Sequence, residues 1–405
     1  MNPSTILTLD RLGGKPFCVL LTLIESVRRL IRRPTLGKPR RILFVKLIEM
    51  GSTVIACPAF AEAARMVGRE NLFILVFAEN RAIVDLLPYF PPENVLTIDQ
   101  RSLSRFVCGL LKALGRIRSE RIDTAIDLEG LTRSSAIITY LTGAPNRVGY
   151  YNFTSEGPYR GRLFTRELNY GFQHHTGEMF LAMVRAAAAP EAQVPLLKQS
   201  VSRADLSLPE FTSSETELSR VRQVLREQTG SELAGPVVLL NPNCSDLLPL
   251  RRWAEANFIE LARRILDDVP GSIVAITGAP AERTGAEALA GRVERPGRCV
   301  CMAGRTTLRE LFALYRLSRV LVSNDSGPCH FASLTPIPIV ALFGPETPLL
   351  YAPLSRNAVA ITAGLACSPC VNMLNHRFSP CTDNRCMKAI AVDEVYGQVR
   401  RILSA

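Results

Sequence analysis

The sequence predicts an α/β protein made of two doubly wound, mainly parallel-sheet domains. Three observations lead there. Short β-rich runs alternate with helical periodicities, the alternation occurs twice, and an irregular stretch separates the two series. At 405 residues, 47% of them hydrophobic, the chain is long enough for two separate cores. A charged fraction of 21% argues against a disordered chain. The formal net charge of +11 suits a polyanionic partner: nucleic acid, an anionic membrane surface or a phosphorylated substrate. No recognition signature for nucleic acid accompanies it, so none is expected as a partner. A solvated basic surface is the plainer alternative.

Residues 1–39 form an amphipathic basic segment. Its apolar run, Phe17–Val27, is interrupted by Thr22 and Glu25 and falls short of the roughly 20 residues that a membrane span needs. Arginines follow the run rather than precede it, and no small-residue cleavage site appears, which argues against a secretory signal. Leu20, Leu23, Ile24, Val27, Leu30 and Ile31 recur at helical spacing, with Arg28, Arg29, Arg32 and Arg33 beside them. Such a helix either lies on an anionic leaflet or packs on the protein's own body with its arginines in water.

After the breaker stretch Pro34–Pro39, residues 40–205 read as the first domain. Strands are expected at Ile42–Lys46, Leu72–Phe77, Val95–Ile98 and Thr124–Asp127, with helices at Val54–Met66 and Leu103–Arg118. This half closes near Tyr150, with a later helix around Gly177–Ala187. Pro190–Ser214 is the linker region. The second domain, 206–390, has strands at Val237–Asn241, Ile273–Thr277, Cys299–Met302, Val320–Ser323 and Ile339–Phe343. Helices fit Glu215–Gln228, Asn257–Asp267 and Leu308–Leu317, and Val392–Ile402 supplies a closing helix within 391–405. Sheets of this kind bind ligands at the C-terminal ends of their strands, so two of them facing one another would leave a central cleft.

The most informative run is Val320–Leu334. A strand ends at Ser323, turns through Asn324–Gly327 and enters a helix at Pro328, whose missing N–H suits a first helical position. Gly327 lets backbone approach a ligand, and the N–H groups of the helix start suit a diphosphate. Asp325 can accept from sugar hydroxyls and His330 can donate towards a phosphate oxygen. An ordinary strand-to-helix turn, with Asp325 as cap and His330 packed beneath it, explains the same residues equally well. Of the eleven cysteines, Cys57, Cys108 and Cys301 read as small hydrophobes in a reducing compartment. The last four, Cys367, Cys370, Cys381 and Cys386, form C-x2-C-x10-C-x4-C, which fits either a structural zinc or reduced thiols packing a loop. His174 and His175, just before a helix, read as a satisfied turn.

The stretch VSNDSGPCHFASLTPIPIVALFGPETP closely resembles the donor motif of the ADP-heptose:lipopolysaccharide heptosyltransferase family, glycosyltransferase family 9. Residues 40–60, 126–150 and 239–265 resemble three further family segments, in order, so the likeness spans about residues 40 to 395. The resemblance implies a GT-B fold and inverting transfer, with no cofactor required, from an ADP-sugar to a lipopolysaccharide-type acceptor. It implies donor contacts from Ser245, Arg251, Asp325, Ser326, Gly327 and His330, with Arg251 stabilising the departing diphosphate. It also fits a peripheral enzyme on the cytoplasmic face of the inner membrane, acting on a glycolipid or glycan. One position departs from the family. Where the family carries its proposed base, an Asp, this chain has Ser52, which cannot act as a base without a partner. Glu49, three residues earlier, can supply a carboxylate, with Asp127 and Glu129 as the alternatives, and Glu129 and Arg133 are expected on the acceptor side. A degenerate nucleotide-sugar-binding protein is the rival reading. A nicotinamide-dependent oxidoreductase is disfavoured, because no G-x-G-x-x-G follows the first strand.

Overall fold

Strand β1 (Ile42–Val45) is apolar and buried along its whole length, as a strand covered by helices on both faces must be. The computed structural model describes residues 10, 12–31, 36–130, 132–151, 158–190, 195–246, 248–375 and 378–404. The chain divides into two compact units, the described residues of 1–207 with 372–377, and those of 208–371 with 378–405.

In the first unit β1 pairs in parallel with β2 (Leu72–Phe77) and β4 (Thr124–Asp127). With β3 (Val95–Ile98), β5 (Asn146–Tyr150) and β6 (Arg166–Leu168) the order is β3-β2-β1-β4-β5-β6. The second unit repeats this arrangement. Its strands are β7 (Val237–Asn241), β8 (Ile273–Ile276), β9 (Cys299–Cys301), β10 (Val320–Asn324), β11 (Ile339–Phe343) and β12 (Ala358–Thr362), ordered β12-β11-β10-β7-β8-β9. Counted from its own first strand, this is the order of the first sheet. Each sheet therefore reverses direction once, between β1 and β4 and between β7 and β10, and ligands of doubly wound sheets bind at that point.

Helix ends follow the sequence. Ser214 and Glu217 form a reciprocal capping box at the start of Glu215–Thr229, and left-handed Gly230 ends that helix. Thr307 and Glu310 do the same for Leu308–Arg316. The helix expected at Val54–Met66 is instead two, Met50–Ile55 and Cys57–Val67. Pro58, in the first turn of the second, has no N–H to continue the first. The first half does not close at Tyr150. β5 and β6 extend the sheet, and β12 extends the second. Helices Arg133–Leu141 and Arg283–Val293 also join the expected set. The C-terminal helix Val392–Ser404 buries Val395 and Val399 in the second core, where Trp253 donates from Nε1 to the Ile390 carbonyl at 3.0 Å.

The N-terminal helix, Gly14–Ile31, packs on the first unit by a narrow edge of Gly14, Cys18 and Glu25. Cys18 lies against Ala136, Leu163 and Phe164. A β-carbon at Gly14 would come within 2.8 Å of Arg133 Cβ. The apolar stripe read from the sequence faces outward: Leu20, Leu23, Ile24, Val27, Leu30 and Ile31 are all exposed. Arg28 and Arg29 both pair with Glu25 rather than standing alone in water, and Arg32 and Arg33 lie outside the described residues. Among the described residues no helix is long and apolar enough to cross a membrane.

Candidate functional site

In the second unit the reversal point is built by Asn324. It is fully buried at the end of β10, beside β7, where Ser323 is in register with Asn241. Its Oδ1 accepts the Trp253 N–H at 3.1 Å, and its Nδ2 donates to the Pro242 carbonyl at 2.8 Å. One side chain thus ties both ends of the 242–253 loop to β10. The Asn324 carbonyl accepts from Ser323 Oγ (2.9 Å), Ser326 Oγ (3.1 Å) and Cys329 Sγ (3.4 Å). Burial pushes the Cys329 thiol up to about 12, so it stays protonated and is no nucleophile.

Next to this knot, Asp325 and Arg251 come together, with Nη1 3.6 Å from Oδ2 and side chains only 5% and 14% exposed. Arg251 enters on the turn Pro249–Arg251, whose neighbouring Leu250 and Arg252 carbonyls accept from Asn384 Nδ2 at 3.0 Å. Its buried Nε makes no hydrogen bond among the described residues. A buried guanidinium N–H without a partner is rare, and anionic oxygens are the acceptors such groups bind most strongly. Ser245 lies exposed on the same loop, and its carbonyl accepts the Leu248 N–H at 3.1 Å. His330 is buried in the following helix.

Three details differ from the sequence reading. The helix is Gly327–Ala332, so it begins one residue before Pro328. Ser326, not Asp325, occupies the N-cap position, and its hydroxyl goes back to Asn324 instead of capping. Gly327 needs no left-handed backbone. A β-carbon there would press on the Phe331 ring at 3.3 Å, so the glycine makes room for that ring.

In the first unit the β1/β4 reversal point carries buried charge. Buried Lys46 pairs with buried Glu129, Nζ to Oε1 at 2.7 Å. Lys46 also donates to the Ile48 carbonyl, and Glu129 Oε1 accepts the Ile48 N–H at 3.0 Å. Together they clamp the loop that follows β1. Glu49, next in that loop and exposed, has φ 66°, a left-handed conformation that costs energy for any non-glycine residue. Ser52 Oγ donates to the Glu49 carbonyl at 3.0 Å and to its carboxylate Oε2 at 3.3 Å. The Glu49 carboxylate therefore reaches the side chain of Ser52.

The other first-unit candidates are committed inside the protein. Asp127 is fully buried. It accepts the Glu129 N–H and Ser135 Oγ, each at 2.9 Å, and pairs with Arg160. Burial pushes its carboxyl up to about 6, against the pull of the Arg160 guanidinium. Its hydrogen bonds and its ion pair thus go to neighbouring residues of the same unit. Glu129 is likewise held by Lys46. Arg133 donates from Nε to the Tyr159 carbonyl at 2.9 Å and lies 3.8 Å from Asp10, which ties it to the N-terminal segment. His175 caps the helix Thr176–Ala188, accepting the Gly177 N–H at 3.1 Å, and His174 meets Glu178 at 3.1 Å, a satisfied turn as expected.

Sequence reasoning missed Lys46, Arg160 and Asn324. Lys46 had a signal: a lysine set between Ile42–Val45 and Leu47 puts charge at the C-terminal end of a central strand. Arg160 had none, because its partners come from two other segments, 127–135 and Tyr150. It donates to the Thr132, Tyr150 and Glu129 carbonyls at 3.0, 3.3 and 3.0 Å.

The four C-terminal cysteines share one loop region in the second unit. Burial raises the Cys386 thiol, and Cys370, Cys367 and Cys381 lie near enough to raise it further. Yet the Cys370 thiol lies against Ser379 Oγ at 3.2 Å, and the Cys381 thiol donates to the Asp383 carbonyl at 3.1 Å. Among the described residues no group of three or more His, Cys, Asp or Glu side chains converges as a metal ion requires.

Comparison with known proteins bears on both halves. The sequence model of glycosyltransferase family 9 (heptosyltransferase) matches residues 110–378. Lipopolysaccharide heptosyltransferase 2 of Escherichia coli (strain K12) is 28% identical over 263 residues, covering 62% of this chain and 69% of that protein. The solved structure of E. coli ADP-heptose lps heptosyltransferase II superposes with a TM-score of 0.66 at 19% identity, covering 90% of this chain and 98% of that one. E. coli heptosyltransferase WaaC with ADP-2-deoxy-2-fluoro heptose gives 0.59 at 17% identity, with coverages of 89% and 99%. These likenesses show the GT-B fold.

Proposed function

The chain belongs to glycosyltransferase family 9, the heptosyltransferases, and from that premise we propose that it moves a heptose from ADP-heptose to a lipopolysaccharide-type glycolipid. Its place of work would be the cytoplasmic face of the inner membrane. That it is a glycosyltransferase follows from the family; the donor, the acceptor and the residue roles are our reading. The second unit would hold the donor. Arg251 would meet the diphosphate, with Ser245, Ser326 and His330 around it and Asp325 on the sugar hydroxyls. The first unit would hold the acceptor.

The observation that carries this reading is the largely buried Arg251 side chain beside Asp325, with its Nε unpartnered among the described residues at the β7/β10 reversal point. A guanidinium with an N–H to spare suits a nucleotide diphosphate, which offers several acceptor oxygens. In the transfer an acceptor hydroxyl oxygen bonds to the anomeric carbon from the face opposite the nucleotide. The bond from that carbon to the diphosphate oxygen breaks, and its electron pair leaves on ADP, where Arg251 offsets the growing charge. The Glu49 carboxylate, oriented by Ser52, takes the hydroxyl proton.

The test is turnover of ADP-heptose by the purified protein with a lipopolysaccharide-core acceptor, read as ADP release and glycosylated product. Binding of ADP-heptose with no turnover on any such acceptor would replace this reading with the degenerate binder.

A further inference from the structure

The helix Gly14–Ile31 is anchored on one edge and bare on the other. Phe17, Leu20, Leu23, Val27, Leu30 and Ile31 are between 52% and 87% exposed. Such a stripe, continuous along a helix, exceeds the scattered apolar exposure of an ordinary surface. Charge says what covers it. The helix has one acidic residue, Glu25, and it is buried, so the outward surface carries only positive charge, from Lys15 and Arg28. Up to Arg41 the chain has nine Lys or Arg and two Asp or Glu. A second copy of the helix would meet the same positive charge, with no acids to pair across the seam. An anionic bilayer offers hydrocarbon for the stripe and phosphates for the cations.

The anchored edge makes the helix a rigid part of the first unit. Glu25 pairs with Arg147 of β5 at 2.7 Å, both side chains almost fully buried. Thr22 Oγ1 accepts the Arg162 N–H at 3.0 Å, and Arg29 Nη2 donates to the Phe164 carbonyl at 2.7 Å. The 158–164 segment gripped in this way also carries Arg160, the partner of Asp127. We propose that Gly14–Ile31 is a docking helix that seats its exposed stripe in an anionic phospholipid surface and holds the first unit at a fixed attitude to it. The role as an acceptor-presenting device rests on the glycolipid reading above; the docking itself does not.

Full-length protein is floated with vesicles of phosphatidylcholine doped with phosphatidylglycerol, and with phosphatidylcholine alone. The wild type should float with the doped vesicles, weakly with the neutral ones, and less as salt rises. The double variant Leu23→Glu/Val27→Glu changes only exposed positions, and its thermal unfolding checks that it folds. Its partition onto doped vesicles should fall roughly tenfold or more, since two apolar anchors become anions. Equal flotation of the two proteins overturns the proposal. So does a wild-type dimer in solution that the variant dissolves while neither protein floats. Heptose transfer to a water-soluble acceptor fragment is measured alongside. Equal turnover with lost flotation separates docking from chemistry, whereas no turnover in either protein counts against the transferase reading and leaves the flotation result standing.

Discussion

Glu49 occupies a backbone conformation that few glutamates adopt, and the cause is visible. Lys46 and Glu129 hold Ile48 by both its carbonyl and its N–H, which fixes where the next residue must turn. Strain of this kind is sustained where surroundings over-determine it. The outcome is a carboxylate delivered to Ser52, three residues on. Glu49→Gln should therefore lower turnover by ~10²–10⁴-fold, the usual cost of losing a general base, while ADP-heptose affinity is nearly unchanged. Ser52→Ala, which removes one orienting hydrogen bond, should cost far less. A fully active Glu49→Gln enzyme would sink the assignment. Arg251→Ala should weaken donor binding by ~1.5–3 kcal/mol, the worth of a hydrogen bond to a charged group. Calorimetric titration with ADP-heptose reads it, and unchanged affinity would remove Arg251 from the donor site. Asp127 yields a prediction of a different kind. Its carboxyl titrates near 6 in the folded chain against an ordinary value of 3.8, so between those pH values the folded state holds the proton more tightly. Stability contributed by that proton is present below about pH 4 and is lost as pH rises towards 6. Denaturant titrations across that window should show the wild type losing ground to Asp127→Asn as pH rises; parallel profiles would contradict the buried placement.

At the scale of elements, what the sequence disclosed depended on how each element is buried. β1, β2, β7 and β11 are covered on both faces, so they appear as unbroken apolar runs, and they are found where expected. β5 was hidden because its sequence, Asn146–Tyr150, places Asn, Arg and Gly inside. Every residue of it is buried, with Arg147 neutralised by Glu25 from more than a hundred residues away. No local pattern reveals such a pairing. The proposed donor loop was legible because its residues are contiguous: Asp325, Ser326 and His330 sit within one turn and a short helix. Arg251 was legible only through the resemblance, since the knot that brings it to Asp325 is tied by Asn324, an unremarkable residue in the linear reading. At the cysteine loop, spacing and local bonding point different ways. Spacing suggested a metal, but two of the thiols lie against partners in the loop itself. Elemental analysis of the purified protein should find no stoichiometric zinc, and Cys367→Ser/Cys370→Ser should unfold at the wild-type temperature with or without chelator. One zinc per chain, lost in the double variant, would show that the loop rearranges around metal.

The whole molecule uses one strand order twice and gives the two reversal points different chemistry. At β1/β4 the buried charges cancel one another: Lys46 with Glu129, and Arg160 with Asp127. That site is complete without an anion, and its outward group is a carboxylate. At β7/β10 the largely buried Arg251 side chain lies 3.6 Å from the Asp325 carboxylate and, among the described residues, keeps an unpartnered Nε. A nucleotide diphosphate gains from the second arrangement and is repelled by the first, so two sheets of the same order should not bind ADP alike. Hydrogen exchange followed by mass spectrometry reads this directly. ADP at about a hundred times its dissociation constant stabilises the bound state by ~2.7 kcal/mol. Amides whose exchange requires release of the ligand should then slow by about a hundredfold. Peptides covering 242–253 and 324–332 should carry the strongest protection, because Asn324 ties those segments into one body. Peptides covering 46–55 and 127–135 should change least. The opposite pattern would move the donor to the first unit and reverse the assignment of the two reversal points.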